Sequence, residues 1–120
     1  MKTLLVADDE ESIRILYKKI LEEEGYNVVL AENGKETLKK IDEVPIDLVI
    51  LDIKMPDMNG MEILKILSKK EKHPLVLLNS AYSGYVEDYH SWIAEDYLIK
   101  TSDMSVLVNK IKEILKKHDS

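Results

Sequence analysis

The chain has 120 residues, of which 45% are hydrophobic and 33% are charged, so its size and balance are those of one globular domain in water. The absence of cysteine excludes disulfides and thiolate metal sites, and no apolar run is long enough to cross a bilayer. A formal net charge of −6 disfavours direct binding to nucleic acid, because phosphate groups would be repelled. We therefore expect one domain over residues 1–120, located in the cytoplasm and without membrane insertion.

Short apolar runs alternate with segments of helical period along the chain. The runs predict strands over residues 4–7, 28–31, 48–51, 75–78 and 97–99. A first helix is predicted between the acidic segment 8–12 and Gly25, and further helices over residues 34–42, 59–70, 85–93 and 103–117. Because the strand runs are apolar without alternation, helices should cover both faces of a parallel sheet. This order predicts an α/β fold with a doubly wound, five-stranded parallel sheet.

The predicted helices carry apolar side chains at helical spacing that should face this sheet. They are Ile13, Leu16, Tyr17, Ile20 and Leu21 in the first helix, Leu38 and Ile41 in the second, Ile63, Leu64 and Leu67 in the third, and Leu107, Val108, Ile111 and Leu115 in the last. The segment 85–93 is short and carries Tyr85, Tyr89 and Trp92 at one-turn spacing, which we expect to pack against the sheet.

Polar residues follow the predicted strands at the edge where ligands bind in such sheets. Asp8 and Asp9 follow the first strand, Asp52 the third, Ser80 the fourth and Lys100 the fifth. If the first and third strands are neighbours, three carboxylates converge, and two bare carboxylates about 4 Å apart repel by about 4 kcal/mol. A divalent cation or a shared proton would relieve this repulsion. Magnesium is the natural candidate, since it takes oxygen ligands and leaves room for phosphate oxygens.

Each of these residues has a plainer interpretation when taken singly. Asp8, Asp9 and Glu10 could cap the first helix and complement its dipole. Asp52 could cap the turn after its strand, and Lys100 alone would be interpreted as a solvated surface lysine. The common position of the polar residues at one edge of the sheet favours a functional site.

The chain resembles the receiver domains of two-component response regulators in four runs, LLVADDE, DLVILDIKMPDMNG, LVLLNSAY and DYLIK. The resemblance covers the whole chain and implies a flavodoxin-like fold with strand order 2-1-3-4-5, in a small, stand-alone receiver. Such a domain takes a phosphoryl group from a histidine kinase or a phosphotransfer protein. It assists its own phosphorylation and dephosphorylation but is not an enzyme acting on a separate substrate.

The same resemblance assigns roles to the acidic residues. Asp52 matches the phosphorylated aspartate, and Asp8 and Asp9 match the acidic pair that holds magnesium. Asp52 itself and the backbone carbonyl of Lys54 would complete the metal shell. An aspartate is already ionised at neutral pH and needs no general base, which agrees with a nucleophilic role for Asp52.

The resemblance also implies a switch. Ser80 matches the switch hydroxyl, Tyr97 the switch aromatic residue and Lys100 the lysine that pairs with the phosphoryl group. Phosphorylation would draw Ser80 inwards and let Tyr97 take the vacated space, changing the surface of the predicted fourth helix, fifth strand and fifth helix. The chain departs from the family pattern where Thr101 replaces the usual proline after Lys100. We expect a trans bond there, because cis without proline costs about 2.5–4 kcal/mol.

Three alternative functions remain open at this point. A magnesium-dependent phosphatase of the haloacid dehalogenase kind also forms an aspartyl phosphate, but its motif has a second aspartate where this chain has Lys54. A flavodoxin-type cofactor protein needs a phosphate cradle after its first strand, where this chain has the acidic run DDEE. A receiver that is never phosphorylated would act as a docking platform, and the intact acidic set argues against it.

Overall fold

Five parallel strands form one sheet in this protein. The structure is a computed structural model that describes residues 1–81 and 93–119. Its strands are β1 (Thr3–Ala7), β2 (Asn27–Ala31), β3 (Leu48–Leu51), β4 (Leu75–Ser80) and β5 (Asp96–Ile99). They lie in the order β2-β1-β3-β4-β5, which confirms the predicted fold class and strand order.

Four helices are present in the described residues, and they lie on both faces of the sheet. They are α1 (Glu11–Glu23), α2 (Gly34–Glu43), α3 (Gly60–Ser68) and α4 (Met104–His118), the last of which corresponds to the helix predicted over residues 103–117. The helix predicted over residues 85–93, with Tyr85, Tyr89 and Trp92, lies outside the described residues except for Ile93. No helix in the described part of the chain combines the length and apolar character of a membrane span.

The starts of three helices are capped by side chains that the sequence places just before them. Asn33 accepts a hydrogen bond from a backbone N–H in the first turn of α2, Asn59 does so for α3 and Asp103 for α4. Each bond satisfies an amide group that the start of a helix leaves unpaired. After α1, Gly25 adopts a φ of 95°, a left-handed conformation that favours glycine and ends the helix.

The core has two layers, one on each face of the sheet. In the α1/α4 layer these helices cover the strands with buried side chains, namely Tyr17, Leu21, Leu107, Val108, Ile111, Ile114 and Leu115. In the α2/α3 layer the buried side chains of α3 are joined by partly buried ones of α2, namely Ile63, Leu64, Leu67, Leu38 and Ile41. Strand residues alternate between the two layers, as the continuous apolar runs predicted.

The inward position predicted for Leu16 is wrong, because this side chain is 39% exposed. The buried stripe of α1 is narrower than its apolar pattern indicated: Tyr17 and Leu21 are buried, and Ile13 and Ile20 pack beside them. Successive residues of a helix point about 100° apart, so Leu16 reaches the rim when Tyr17 faces the sheet. The other predicted inward residues of α1 to α4 lie in the core, fully or partly buried.

Candidate functional site

The carboxyl edge of the sheet gathers polar side chains from four strands. Asp8 directly follows β1, Asp52 directly follows β3, Ser80 is the last residue of β4, and Lys100 directly follows β5. Because the strands are parallel, these chain positions come to one edge, and the backbone N–H of Asp52 donates to the carbonyl of Ala7 at 2.9 Å. The backbone N–H of Lys100 donates to the carbonyl of Ser80 at 2.8 Å, which anchors the lysine at the same edge.

The ammonium group of Lys100 joins the two buried carboxylates of this edge. Its Nζ atom lies 2.6 Å from Oδ2 of Asp8 and 3.3 Å from Oδ2 of Asp52. A third acidic group, Oε1 of the exposed Glu10, lies 3.7 Å from the same nitrogen. The side chain of Lys100 is only 12% exposed, so its charge acts in a region with little water, where ionic contacts are strong.

Burial and charge shift the acid–base behaviour of the site. Burial raises the pKa of Asp52 to about 6, helped by the negative charge of Asp8 and opposed by Lys100 and by the backbone N–H of Lys54. Burial alone would lower the pKa of Lys100, but its hydrogen bonds and ion pairs with Asp8 and Asp52 outweigh this effect and raise it. Lys100 therefore stays charged at neutral pH, and most Asp52 side chains are ionised.

A group of oxygen ligands lies beside this ion pair. Carboxylate oxygens of Asp8, Asp9 and Glu10 lie within 4.8 Å of one another, and only Asp8 is buried. Glu10 precedes α1, but its side chain makes no capping hydrogen bond. Oδ1 of Asp8 accepts from the backbone N–H of Glu10 at 3.0 Å, and the carbonyl of Asp8 accepts from Arg14 at 2.8 Å. The loop is thus held by its own bonds, while three carboxylates remain close enough to share a cation.

The donor set fits magnesium, which prefers carboxylate and carbonyl oxygens. Asp8 and Asp9 are the predicted ligands of this loop, and Glu10 was expected only as a cap of the first helix, so the structure adds Glu10 to the candidates. The sequence signal that could have identified Glu10 was its position directly after Asp9 in the same acidic loop. The ligand role of the Lys54 carbonyl stays a prediction.

A pocket of about 180 Å³ opens over Asp52. It is lined by Asp9, Glu10, Asp52, Lys54, Ala81 and Lys100. A water molecule takes about 30 Å³ in the liquid, so the pocket has room for a phosphoryl group with a few waters. Acidic and basic groups therefore meet in a cleft that is open to a small anionic ligand.

The loop after β3 reaches this pocket because of Gly60. A Cβ atom at this position would lie 2.6 Å from the carbonyl oxygen of Asp52 and 2.9 Å from Cα of Ile53. The backbone N–H of Gly60 instead donates to the carbonyl of Ile53 at 2.7 Å, closing the loop tightly. At the far side of the site, the Lys100–Thr101 bond is trans, since the described residues contain no cis peptide bond, which confirms that prediction.

Ser80 and Tyr97 lie on adjacent strands beside the site. Ser80 is fully buried at the end of β4, and Tyr97 of β5 is 9% exposed. Tyr97 is the register partner of Leu78, and both belong to the α2/α3 layer. Because side chains alternate along a strand, Ser80 shares the face of Leu78. The two residues are thus placed on one face of neighbouring strands, and their switch role stays a prediction.

Comparison with known proteins gives one consistent result. The chain matches the response regulator receiver domain family over residues 4–112. It is 46% identical to TrrA of Thermotoga maritima, whose structure in complex with Mg(2+)-BeF has a TM-score of 0.88 and covers 94% of this chain and 98% of TrrA. A structure of histidine kinase ThkA in complex with TrrA matches with a TM-score of 0.86 and covers 96% and 99%.

Two curated relatives extend this comparison. The chemotaxis protein CheY of Listeria monocytogenes is 40% identical over 103 residues, which cover 83% of this chain and 87% of CheY. Response regulator RR06 of Streptococcus pneumoniae is 35% identical over 116 residues, which cover 96% of this chain but 54% of RR06. The chain therefore spans about half the length of RR06, whereas it matches nearly the full length of CheY.

Proposed function

This chain belongs to the response regulator receiver domain family, and from that membership we propose that it is a signalling domain whose Asp52 accepts a phosphoryl group. The donor would be a histidine kinase or a phosphotransfer protein, in keeping with the complex of the related TrrA with ThkA. The observation that carries the proposal is the buried Asp52 carboxylate held 3.3 Å from the Lys100 ammonium in an open pocket.

The chemistry requires a nucleophile and a counter-charge. An oxygen of the ionised Asp52 carboxylate forms a bond to phosphorus while the bond from phosphorus to the donor's leaving group breaks. The leaving group departs with the electron pair of that bond, and Asp52 needs no general base because it attacks as a carboxylate. Lys100 lies 3.3 Å from Oδ2 of this carboxylate and would offset the negative charge of the phosphoryl oxygens.

The acidic loop would hold the magnesium ion. Asp9, Glu10, Asp52 and Lys54 line the pocket, and the carboxylate of Asp8 lies within 4.8 Å of those of Asp9 and Glu10. Asp8, Asp9 and Asp52 would provide carboxylate ligands, together with the carbonyl of Lys54 and with Glu10. When bound, magnesium would neutralise phosphoryl oxygens and relieve the repulsion between the carboxylates. The Mg(2+)-BeF complex of TrrA supports this assignment. The Asp8 carboxylate would then interact with both Lys100 and the metal ion.

Movements of Ser80 and Tyr97 would couple the phosphorylation of Asp52 to a change at the protein surface. Phosphorylation of Asp52 draws the Ser80 hydroxyl towards the phosphoryl group, and Tyr97 moves into the vacated volume. The surface so changed includes β5 and α4, while the predicted fourth helix of this surface lies outside the described residues. Ile99 of β5 and Val106 of α4 are each 40% exposed, so this surface offers apolar contacts to a protein partner in the cytoplasm.

The test is incubation with acetyl phosphate and magnesium, followed by intact mass spectrometry and peptide mapping. We expect one phosphoryl group on Asp52 in the wild type, none in Asp52→Asn and none in the presence of a chelator. The matched control is Asp42→Asn, which removes an exposed carboxylate paired with Lys70 and should label normally. Equal labelling of wild type and Asp52→Asn would overturn the assignment. Absence of any label would favour the docking platform, and repeated turnover of acetyl phosphate without retained label would favour the phosphatase.

A further inference from the structure

A buried polar pair links α1 to β4 beneath the proposed site. The side-chain amide of Asn79 donates a hydrogen bond of 2.7 Å to the hydroxyl of Tyr17, across 62 positions of the chain. Each residue is only 2% exposed, in a layer otherwise built from hydrophobic side chains. Two apolar residues of similar shape would pack there without the cost of removing polar groups from water, so the pair needs an explanation other than core stability.

The position of Asn79 relative to the site follows from the register. Three neighbouring strands contribute one residue each to a row across the sheet, namely Ala7 of β1, Leu51 of β3 and Leu78 of β4. The residues that follow them in the chain form the next row, which consists of Asp8, Asp52 and Asn79. Each member of this row comes two residues after a buried residue of the α1/α4 layer, and these residues are Val6, Ile50 and Leu77. Because side chains alternate along a strand, Asn79 lies on the face of α1, in agreement with its bond to Tyr17, and Asp8 and Asp52 continue the row just past the ends of their strands.

Lys100 crosses over this row. The register partner of Asn79 in β5 is Leu98, and Lys100 comes two residues later, just past the end of β5. Because β4 lies between β5 and the strands that precede Asp52 and Asp8, the side chain of Lys100 extends across the end of β4, where Asn79 is the last residue but one. Asn79 therefore lies near the path of the lysine that the proposed reaction requires.

The hydroxyl of Tyr17 lies within the electrostatic field of the site. Burial raises the pKa of Tyr17, the bond to Asn79 and the charge of Lys100 lower it, and the charges of Asp8 and Asp52 raise it. The pair is therefore close enough for the charged groups to interact with it through the interior of the protein. A dipole fixed at this place acts in turn on those charges.

We propose that Tyr17 and Asn79 are positioning residues for phosphoryl transfer to Asp52. Their hydrogen bond fixes the orientation of the Asn79 amide, and the dipole of this amide holds the Lys100 ammonium towards Asp8 and Asp52. This inference rests on the proposed function. Without the bond, Lys100 spends less time in the geometry that offsets the phosphoryl oxygens, so the maximal rate of transfer falls while binding of the small donor changes little.

The test is a cycle of Tyr17→Phe, Asn79→Leu and the double variant. Each single change leaves one buried polar partner without its bond, so both should lower the melting temperature. The double change removes both partners and should recover most of that loss. If the pair positions Lys100, all three variants label Asp52 about tenfold more slowly at saturating acetyl phosphate and magnesium, with the half-saturating acetyl phosphate concentration nearly unchanged.

The matched control is Tyr26→Phe, which removes a tyrosine hydroxyl from the same layer near Lys112 and should keep the wild-type rate. Rates are compared at a temperature at which circular dichroism shows every variant folded. A double variant that labels at the wild-type rate, or labelling rates that follow the melting temperatures, would show that the pair has only a structural role. Either result would overturn this inference and leave the proposed function standing. Absence of label in the wild type overturns the proposed function and this inference together.

Discussion

The Nζ atom of Lys100 lies 2.6 Å from Oδ2 of Asp8, in an ion pair whose side chains are 12% and 3% exposed. This contact is shorter than the 3.3 Å between Lys100 and Asp52. Lys100 therefore neutralises a proposed metal ligand as well as the proposed phosphoryl acceptor. In the metal-free protein, Lys100 reduces the repulsion between two buried carboxylates, as a bound cation would.

Lys100→Ala should destabilise the metal-free protein by about 3 kcal/mol, because it leaves two buried carboxylates without their counter-charge. Magnesium should then raise the melting temperature of the variant more than that of the wild type, since the ion no longer competes with an ammonium group for the Asp8 carboxylate. Thermal unfolding with and without magnesium measures both effects. Lys110→Ala, which removes a lysine paired with Asp96 on the surface, is the control. Equal magnesium shifts in wild type and Lys100→Ala would contradict the competition.

The pKa of about 6 for Asp52 predicts a pH dependence of stability in magnesium-free buffer. This pKa lies above the ordinary value of 3.8, so between about pH 4 and pH 6 the folded protein binds a proton that the unfolded chain releases. The contribution of Asp52 protonation to the free energy of unfolding is fully present below about pH 4 and is lost as the pH rises from about 4 to 6. At pH 7 we expect Asp52→Asn to be more stable than the wild type by about 1–3 kcal/mol, and this difference to vanish below about pH 4.

Denaturant unfolding at several pH values measures this difference. Asp42→Asn is the control, because its exposed carboxylate should give no comparable difference from the wild type. A wild type that gains stability on going from pH 4 to pH 7 relative to Asp52→Asn would refute the raised pKa.

Asp9→Ala should abolish magnesium binding without lowering the melting temperature of the metal-free protein. Asp9 is exposed, and its removal takes one negative charge from a crowded acidic group. Glu11→Ala, which removes an exposed carboxylate from the first turn of α1, is the matched control and should bind magnesium normally. Calorimetric titration measures the binding. A fall in the melting temperature of metal-free Asp9→Ala would instead identify Asp9 as a structural residue of the loop.

Gly60→Ala should destabilise the protein by about 1–3 kcal/mol and slow the labelling of Asp52, because the added Cβ would meet the Asp52 carbonyl oxygen at 2.6 Å. The backbone of Asp52 must then shift, which changes the position of its carboxylate relative to Lys100. The comparison variant is Gly25→Ala. The φ of 95° at this position disfavours alanine, but the new methyl group would have open space around it. Gly25→Ala should lose stability but keep the wild-type labelling rate. Unchanged labelling in Gly60→Ala would show that the loop tolerates the shift.

Much of the site followed from the sequence because it depends on a rule of local order. Apolar runs define the strands, parallel strands end at one edge, and the residues just after the runs must meet there. Asp8, Asp52 and Lys100 were therefore predicted at one edge, where the structure brings Lys100 within hydrogen-bonding distance of both carboxylates. Leu16 was wrongly predicted to face the sheet, because an apolar pattern does not show how wide a stripe of a helix the sheet can cover.

Periodicity and chain order predicted the order of elements, the ends of the strands and the kinds of residue that gather at those ends. Which of these groups touch one another became clear from the folded structure. Lys100 lies closer to Asp8 than to Asp52, Glu10 joins the acidic group, and Tyr17 bonds to Asn79 across 62 positions. Such contacts depend on the register between strands and on the rotation of a helix over the sheet, and both are determined by the packing of the whole core and not by a local pattern.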